Sequence, residues 1–266
     1  MSNMQNKYAL ITGATSGIGY ELAKLFAKDH YNLIIVSRNQ AELEQKANEL
    51  SSQYGVEVMP IAKDLFKREA AFELYEEVNQ RGVQVDVLVN DAGQGQFGEF
   101  KDTDINRELD IIQLNISSLV VLTKCFLKDM VARNEGKILQ LASIASKVPG
   151  PWQSVYHGTK AFVLSFTEAI RTELKDTNIT VTALLPGATD TDFFNKAEMQ
   201  DSKIVQAGGL SDPADVAKDG YEALMNNDDK VISGFKNKVQ IGMSNMMPDS
   251  AVASMMDKQQ GPVDEK

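Results

Sequence analysis

Seven short apolar runs, rich in β-branched residues, recur along the chain: YALIT at 8–12, LIIVS at 33–37, VEVMPI at 56–61, VDVLVN at 85–90, KILQLA at 137–142, ITVTALL at 179–185 and KVIS at 230–233. Their length and composition predict strands. The segments between them carry helical spacing instead. Ile18, Leu22, Leu25 and Phe26 stand at i, i+4, i+7 and i+8, which makes one apolar face, and Phe162, Phe166, Ile170 and Leu174 form a second stripe of the same kind. Strand and helix alternating through most of the chain predict an α/β class fold, a doubly wound parallel sheet with helices on both faces. No Pro/Gly/Ser-rich linker, internal repeat or low-complexity tract interrupts the alternation, so one domain over 1–266 is expected.

Two stretches fit the alternation poorly. The segment PGATDTDFFNKAEMQDSKIVQAGGLSD, 186–212, follows a strand and mixes turn residues with Phe193 and Phe194. A loop at the carboxyl end of a strand is where an α/β sheet places ligand-covering elements, so a substrate loop is expected at about 187–212. The C-terminal tail, about 235–266, holds five of the eleven methionines: Met243, Met246, Met247, Met255 and Met256.

Composition narrows the function. A chain of 266 residues can bury a sizeable core. A formal net charge of -10, with no basic stripe, argues against a nucleic-acid partner, because phosphate-backbone affinity is carried by clustered Lys and Arg. No run approaches the roughly 18 consecutive apolar residues of a membrane span. The start, MSNMQNKYALITG, lacks the pattern of a secretory signal. The one cysteine, Cys125, excludes an internal disulfide, and in LVVLTKCFL it reads as a small buried core residue. A cytoplasmic location is the default expectation. No His/Cys/Asp/Glu cluster at ligand spacing is present, so no catalytic metal is expected.

The first βα turn carries TGATSGIG, 12–19, with Gly13, Gly17 and Gly19, and with Thr15, Ser16 and Ile18 between them. Glycines there allow a tight turn and close approach of backbone to a pyrophosphate, while the helix start offers free N–H groups and positive dipole character. The spacing is G-x-x-x-G-x-G, which departs from the G-x-G-x-x-G fingerprint, and a plain strand-to-helix turn is the alternative. The second strand ends in Ser37-Arg38-Asn39, with no acid to hold a ribose 2′-hydroxyl. A guanidinium suits the 2′-phosphate of NADP, so NADP(H) is expected over NAD(H), against the alternative of a solvated surface arginine. In YHGTK, 156–160, Tyr156 and Lys160 share a helix face, and a positive charge there would favour tyrosinate.

With TGATSGIG, NDAG at 90–93, Asn115, Ser143, YHGTK and PGATDT at 186–191 in this order, the chain resembles the short-chain dehydrogenase/reductase superfamily, in its compact single-domain branch, over about residues 7–235. The resemblance implies a Rossmann-type sheet of seven parallel strands and hydride transfer between a nicotinamide and a carbonyl or alcohol. It implies Asn115, Ser143, Tyr156 and Lys160 as the catalytic set. Asp64 and Leu65 resemble the pair beside the adenine. Asn90, Ala92 and Gly93 resemble the motif that supports the sheet centre and lines the cofactor, and Pro186, Gly187, Thr189 and Thr191 the segment at the nicotinamide end. Three positions depart from the usual pattern: Asp91 replaces a second asparagine, Ala142 precedes the serine, and Thr159 precedes the lysine. None removes a catalytic group.

On this reading Tyr156 is the general acid/base, Lys160 lowers its pKa from the free value near 10, and Ser143 hydrogen-bonds the substrate oxygen. The resemblance gives Asn115 a water near Lys160 for proton resupply, and it implies a homodimer or homotetramer in which the long fourth helix and the helix of Tyr156 pair across subunits. His157 reads as a support or interface residue and His30 as a turn residue. An NADP(H)-binding sensor or scaffold without turnover is the alternative, and an epimerase or dehydratase on the same fold a third. The small-molecule carbonyl or alcohol substrate has no signature. Phe97, Phe100, Val148, Trp152, Phe193, Phe194 and the Met-rich tail are candidates to wall an apolar pocket, or equally to be core or subunit contacts.

Overall fold

The computed structural model describes residues 7–263. Residues 1–6, which open the stretch read for a signal, and 264–266, which end the tail, lie outside the described residues. Each apolar run becomes a strand: β1 Tyr8–Thr12, β2 Asn32–Ser37, β3 Val58–Ala62, β4 Val85–Asn90, β5 Gly136–Leu141, β6 Ile179–Leu185 and β7 Lys230–Ile232. They form one seven-stranded sheet in the order β3-β2-β1-β4-β5-β6-β7, every pair parallel. This is a doubly wound Rossmann-type sheet, and the order reverses direction between β1 and β4. Pro60 lies in β3 at the sheet edge, where its missing N–H costs no central ladder bond.

The helices in chain order are α1 Gly17–Lys28, α2 Gln40–Tyr54, α3 Ala70–Gln80, α4 Ile105–Ile112, α5 Leu119–Arg133, α6 Ser154–Glu173, α7 Phe193–Lys196, α8 Lys203–Gln206, α9 Pro213–Met225, α10 Phe235–Ser244 and α11 Asp249–Gln260. Two cores cover the two sheet faces. On one, Leu22 and Phe26 of α1 and Leu43 of α2 pack with Val216 and Leu224 of α9. On the other, Leu74 and Val78 of α3, Phe126 and Met130 of α5 and Ile170 of α6 pack under Leu10, Ile34 and Leu88. Every residue of β4 is buried, as a central strand covered on both faces must be.

The stripe expected on α6 meets the core at Phe166, Ile170 and Leu174 but not at Phe162. Phe162 is 40% exposed and stacks on the half-buried Phe166, while Val163, Leu164, Thr167 and Ile170 make the buried face. The helix is apolar around a wide arc, and the smaller, β-branched side chains are the ones that fit closely against the sheet. Cys125 is half-buried on α5, not fully in the core. A π-helical turn, Gln113–Ser118, joins α4 to α5 in one continuous helix, Ile105–Arg133, with a mean hydropathy of 1.4 over its most apolar window. By length and composition alone it could cross a membrane. Leu119, Leu122, Phe126 and Met130 of this helix instead lie in the core.

Candidate active site

The carboxyl ends of β1 and β4 flank the point where strand order reverses, and the chain leaves both through glycines. Gly13 and Gly17 have φ of 73° and 57°, in the left-handed region. A Cβ on Gly13 would fall 2.7 Å from Asp91 Oδ2 and 3.1 Å from the Ala92 nitrogen, and one on Gly17 would fall 2.9 Å from Thr191 Cγ2. The turn therefore requires glycine both for its conformation and for the closeness of the β4 loop. Ser16 caps α1 without a side-chain hydrogen bond, which leaves first-turn N–H groups available to an anion.

A cavity of about 1200 Å³ runs across these strand ends. At one end it is lined by Thr15, Ser16, Ser37, Arg38, Asn39, Lys63 and Phe66. The Arg38 guanidinium lies 5.2 Å from the Phe66 ring centroid, and Arg107 lies 5.4 Å from the same ring. Lys63 pairs with Glu73 at 3.4 Å and Glu77 at 3.2 Å. The Ser37 hydroxyl oxygen is buried and has no hydrogen-bond partner. An orphaned hydroxyl beside an exposed guanidinium fits an anionic group on an adenosine ribose, and the one carboxylate lining the cavity near them, Glu42, belongs to the first turn of α2 and not to the end of β2.

In the middle of the cavity, Lys160 is buried and its Nζ donates to the Leu141 carbonyl at 2.7 Å. A Cβ on Gly93 would lie 3.3 Å from both Lys160 Nζ and Asn115 Oδ1, so a side chain there would crowd the lysine and the asparagine at once. Asn115 stands in the π-helical turn, a distortion often found at functional sites. Its Oδ1 accepts from the Gln94 N–H at 3.0 Å, and its Nδ2 donates to the Gln94 carbonyl at 2.9 Å and to Thr159 Oγ1 at 3.0 Å. The Thr159 hydroxyl in turn donates to the Tyr156 carbonyl at 2.7 Å. The asparagine thereby ties the loop after β4 to the first turn of α6.

Tyr156 faces the cavity and shares a hydrogen bond with Ser143. Ser143 Oγ also accepts from the Ala145 N–H at 3.1 Å and donates to the Pro186 carbonyl at 3.4 Å. Burial pushes the Tyr156 phenol up to about 12, against the Ser143 hydrogen bond. Burial likewise pushes Lys160 down to about 8, against the charge of Asp91. The sequence reading had Lys160 lowering the tyrosine pKa. In the protein alone burial raises the phenol and the Ser143 hydrogen bond opposes it, while the Lys160 ammonium, 5.8 Å from the ring centroid, does not offset the burial.

The far end is walled by Val148, Phe193, Phe194, Met199, Ile204 and Met256. The tail is laid onto the 187–212 segment and Trp152 here: Ser202 bridges Pro262, the Lys203 N–H donates to Gly261 at 3.0 Å, and Trp152 Nε1 donates to Asp257 at 2.7 Å. Trp152 stacks on Phe97 behind the wall, and Phe100 is exposed. Of the five tail methionines only Met256 lines the cavity. Met243, Met246 and Met247 point outward, and Met255 packs beside Val252. His157 is buried, its Nδ1 2.9 Å from the Val148 carbonyl and its Nε2 beside Gln260. His30 occupies a left-handed turn position after α1.

Most of the residues singled out from sequence reach this cavity: Gly13, Thr15, Ser16, Gly17, Ile18, Ser37, Arg38, Leu65, Ala92, Gly93, Ser143, Tyr156, Lys160, Pro186, Gly187, Thr189 and Thr191. Gly19, Asp64, Asn90 and Asn115 stand behind its surface. Gly19 lets α1 approach Asp91. Asn90 donates to Thr123 Oγ1 at 3.1 Å and Gln140 Oε1 at 3.0 Å, holding β4, β5 and α5 together. Asp64 turns the chain after β3, its carbonyl accepting from the Lys67 N–H at 2.9 Å. Lys63, Phe66, Asp91 and Gln94 line the cavity and were missed as site residues, although three of them adjoin recognised motifs. Among the described residues no group of three or more His, Cys, Asp or Glu side chains is placed to hold a metal.

The family model for short chain dehydrogenases matches residues 7–202. The chain belongs to this family. It is 32% identical over 243 residues to an NADP-dependent 3-hydroxy acid dehydrogenase of Schizosaccharomyces pombe, spanning 88% of this chain and 92% of that one. It is 32% identical over 230 residues to dehydrogenase/reductase SDR family member 7B of Mus musculus, spanning 83% and 71%. Among solved structures, L-sorbose reductase of Gluconobacter frateurii, complexed with NADPH and L-sorbose, superposes with a TM-score of 0.76 at 25% identity over 87% of this chain and 97% of that one.

Proposed function

We propose that the dehydrogenase transfers hydride between NADP(H) and a ketone or secondary alcohol that is bulky and largely apolar. The observation that carries this reading is the convergence of Ser143, Tyr156 and Lys160 on one cavity wall, a short distance from the glycine turn. The cofactor, when bound, supplies or accepts the hydride. The N–H groups opening α1 would hold its pyrophosphate, and Arg38 with the Ser37 hydroxyl its 2′-phosphate. That preference is supported by the missing acid after β2, by the NADP-dependent relative, and by the NADPH bound in the sorbose reductase structure.

In the reductive direction the substrate oxygen accepts from Ser143 and Tyr156. As negative charge develops on that oxygen, the phenol gives up its proton and becomes tyrosinate, and the product is the neutral alcohol. Lys160, at about 8, is mostly charged at neutral pH and makes the buried tyrosinate less costly. Asn115 and Thr159 fix the first turn of α6 so that both groups face the same point. The wall of Val148, Phe193, Phe194, Met199 and Met256 favours an apolar body next to the carbonyl.

The test is a titration with NADPH and with NADH followed by nicotinamide fluorescence, then turnover with a panel of bulky ketones. Tight NADPH, weaker NADH and consumption of NADPH with at least one ketone are expected. Binding of neither cofactor by the folded protein sinks the reading, and binding without turnover across the panel leaves a sensor.

A further inference from the structure

Asp91 stands where the family's usual motif has a second asparagine, and the proposed mechanism makes no use of it. Its carboxylate lines the cavity directly beneath the glycine turn. Oδ2 occupies the space that a Cβ on Gly13 or on Gly19 would need, 2.7 Å and 2.5 Å away, and the Gly19 N–H donates to the carboxyl group. The Asp91 N–H is itself fixed by Thr12 Oγ1 at 3.1 Å, so the side chain is held between the end of β1 and the start of α1. Lys160, reaching in from α6, is the one charged side chain found to act on it. Burial pushes the carboxyl up to about 7, opposed by Lys160 and by the Gly19 N–H.

We propose that Asp91 is a positioning residue for the cofactor whose protonation is coupled to binding: the neutral carboxyl supports the glycine turn under a dinucleotide pyrophosphate, so binding takes up a proton. The physical reason is placement. A pyrophosphate held by the N–H groups of α1 brings two negative charges to the upper side of a turn whose lower side rests on this carboxylate. At low local dielectric that repulsion raises the proton affinity of Asp91 when the cofactor enters. An asparagine at the same place would fill the same space, keep an acceptor for the Gly19 N–H and carry no such coupling. This inference rests on the reading of the cavity as a dinucleotide site.

The coupling is measurable as protons. If binding raises the carboxyl by about one unit, NADPH affinity falls by up to about tenfold as pH rises from 6 to 8.5, and about half a proton is taken up per NADPH at pH 7.5. Calorimetric titration of NADPH in two buffers of different ionisation enthalpy reads that number directly. The comparison protein is Asp91→Asn, which is isosteric. The 2′-phosphate of NADPH titrates near pH 6 in both proteins, so the difference between them isolates Asp91. Expected is an uptake in the wild type that Asp91→Asn loses, with a flatter affinity profile for the variant. Equal uptake in both proteins, or none in a wild type that binds NADPH, overturns the inference and leaves the cofactor reading intact. Should the variant bind no NADPH, the wild-type uptake alone decides, and a value near zero overturns it. A wild type that binds no dinucleotide removes both.

Discussion

Tyr156 and Lys160 occupy a place where burial works against the charged form of each, the phenol held up at about 12 and the ammonium down at about 8. The oxidative direction needs tyrosinate, so its rate is expected to rise with pH, and the reductive direction, which needs the phenol, to fall. Lys160→Met removes the charge that eases ionisation. It is expected to move the oxidative profile to higher pH and to lower kcat by about 10²–10⁴-fold, as removing an acid/base partner does, and Tyr156→Phe by a similar factor. A kcat against pH series in both directions checks this; retention of near-full turnover by Tyr156→Phe excludes the phenol as proton donor. At the same scale, Arg38→Ala should raise KM for NADPH by about 10–100-fold, the worth of a charged hydrogen bond of about 1.5–3 kcal/mol, and leave KM for NADH nearly unchanged. A loss shared equally by both cofactors would mean that Arg38 shapes the site without reading the phosphate. The proposed catalytic set was legible because its spacing is local: a lysine four after a tyrosine and a serine thirteen before it. Phe66 was not, because its place beside Arg38 depends on β3 lying next to β2 in the sheet.

Elements were legible where burial is two-sided and misread where a face had to be chosen. All seven strands appear where apolar runs predicted them: β4 and β6, buried at every position, advertise themselves in composition alone, and the half-buried edge strands β3 and β7 carry the same β-branched residues. The stripe of α6 holds at Phe166, Ile170 and Leu174, which meet the core, and fails at Phe162, because sequence does not say which arc of a broadly apolar helix meets the sheet. The Met-rich tail was a candidate either to wall an apolar pocket or to be core, and Met256 does both: α10 and α11 contribute Ile241, Val252 and Met256 to a small core with Val148, Met256 lines the cavity, and the tail is tied down by the Trp152–Asp257 hydrogen bond and the Ser202–Pro262 bridge. That arrangement makes α11 a fixed wall of the apolar end of the cavity. Trp152→Phe keeps the stacking surface on Phe97 and removes one hydrogen bond, so a stability loss of about 1 kcal/mol is expected, together with a higher KM for bulky ketones and unchanged NADPH affinity. Thermal melts and steady-state kinetics check the two parts, and a matching rise in the dissociation constant for NADPH would place the effect at the wrong end of the cavity.

The whole molecule brings one glycine-lined turn, the helix of Tyr156 and Lys160 and one loop-and-tail wall to the carboxyl edge of a single sheet, and leaves a different surface unexplained by that task. Ile105, Leu109 and Ile112, at i, i+4 and i+7, point out from α4, and Phe162 points out from the adjacent α6. Ile105 is 58% exposed and Leu109 54%, high for contiguous apolar residues of a chain with a net charge of -10. Neither helix can turn this face inward, because each already gives its other side to the protein: Ile111 from α4, and Val163 and Ile170 from α6, are buried. A two-fold partner presenting the same face would cover both stripes at once, which supports the homodimer or homotetramer reading over a monomer. None of Ile105, Leu109, Ile112 and Phe162 lines the cavity, so the interface can be broken without touching its walls. Sedimentation velocity is expected to show a dimer or tetramer at micromolar concentration, and the triple variant Ile105→Ser, Leu109→Ser, Phe162→Ser a monomer that still binds NADPH. A wild type that sediments as a monomer at tens of micromolar would show that the stripes are simply solvated, and the proposed catalytic face of α6 would then be supported by its own chain alone.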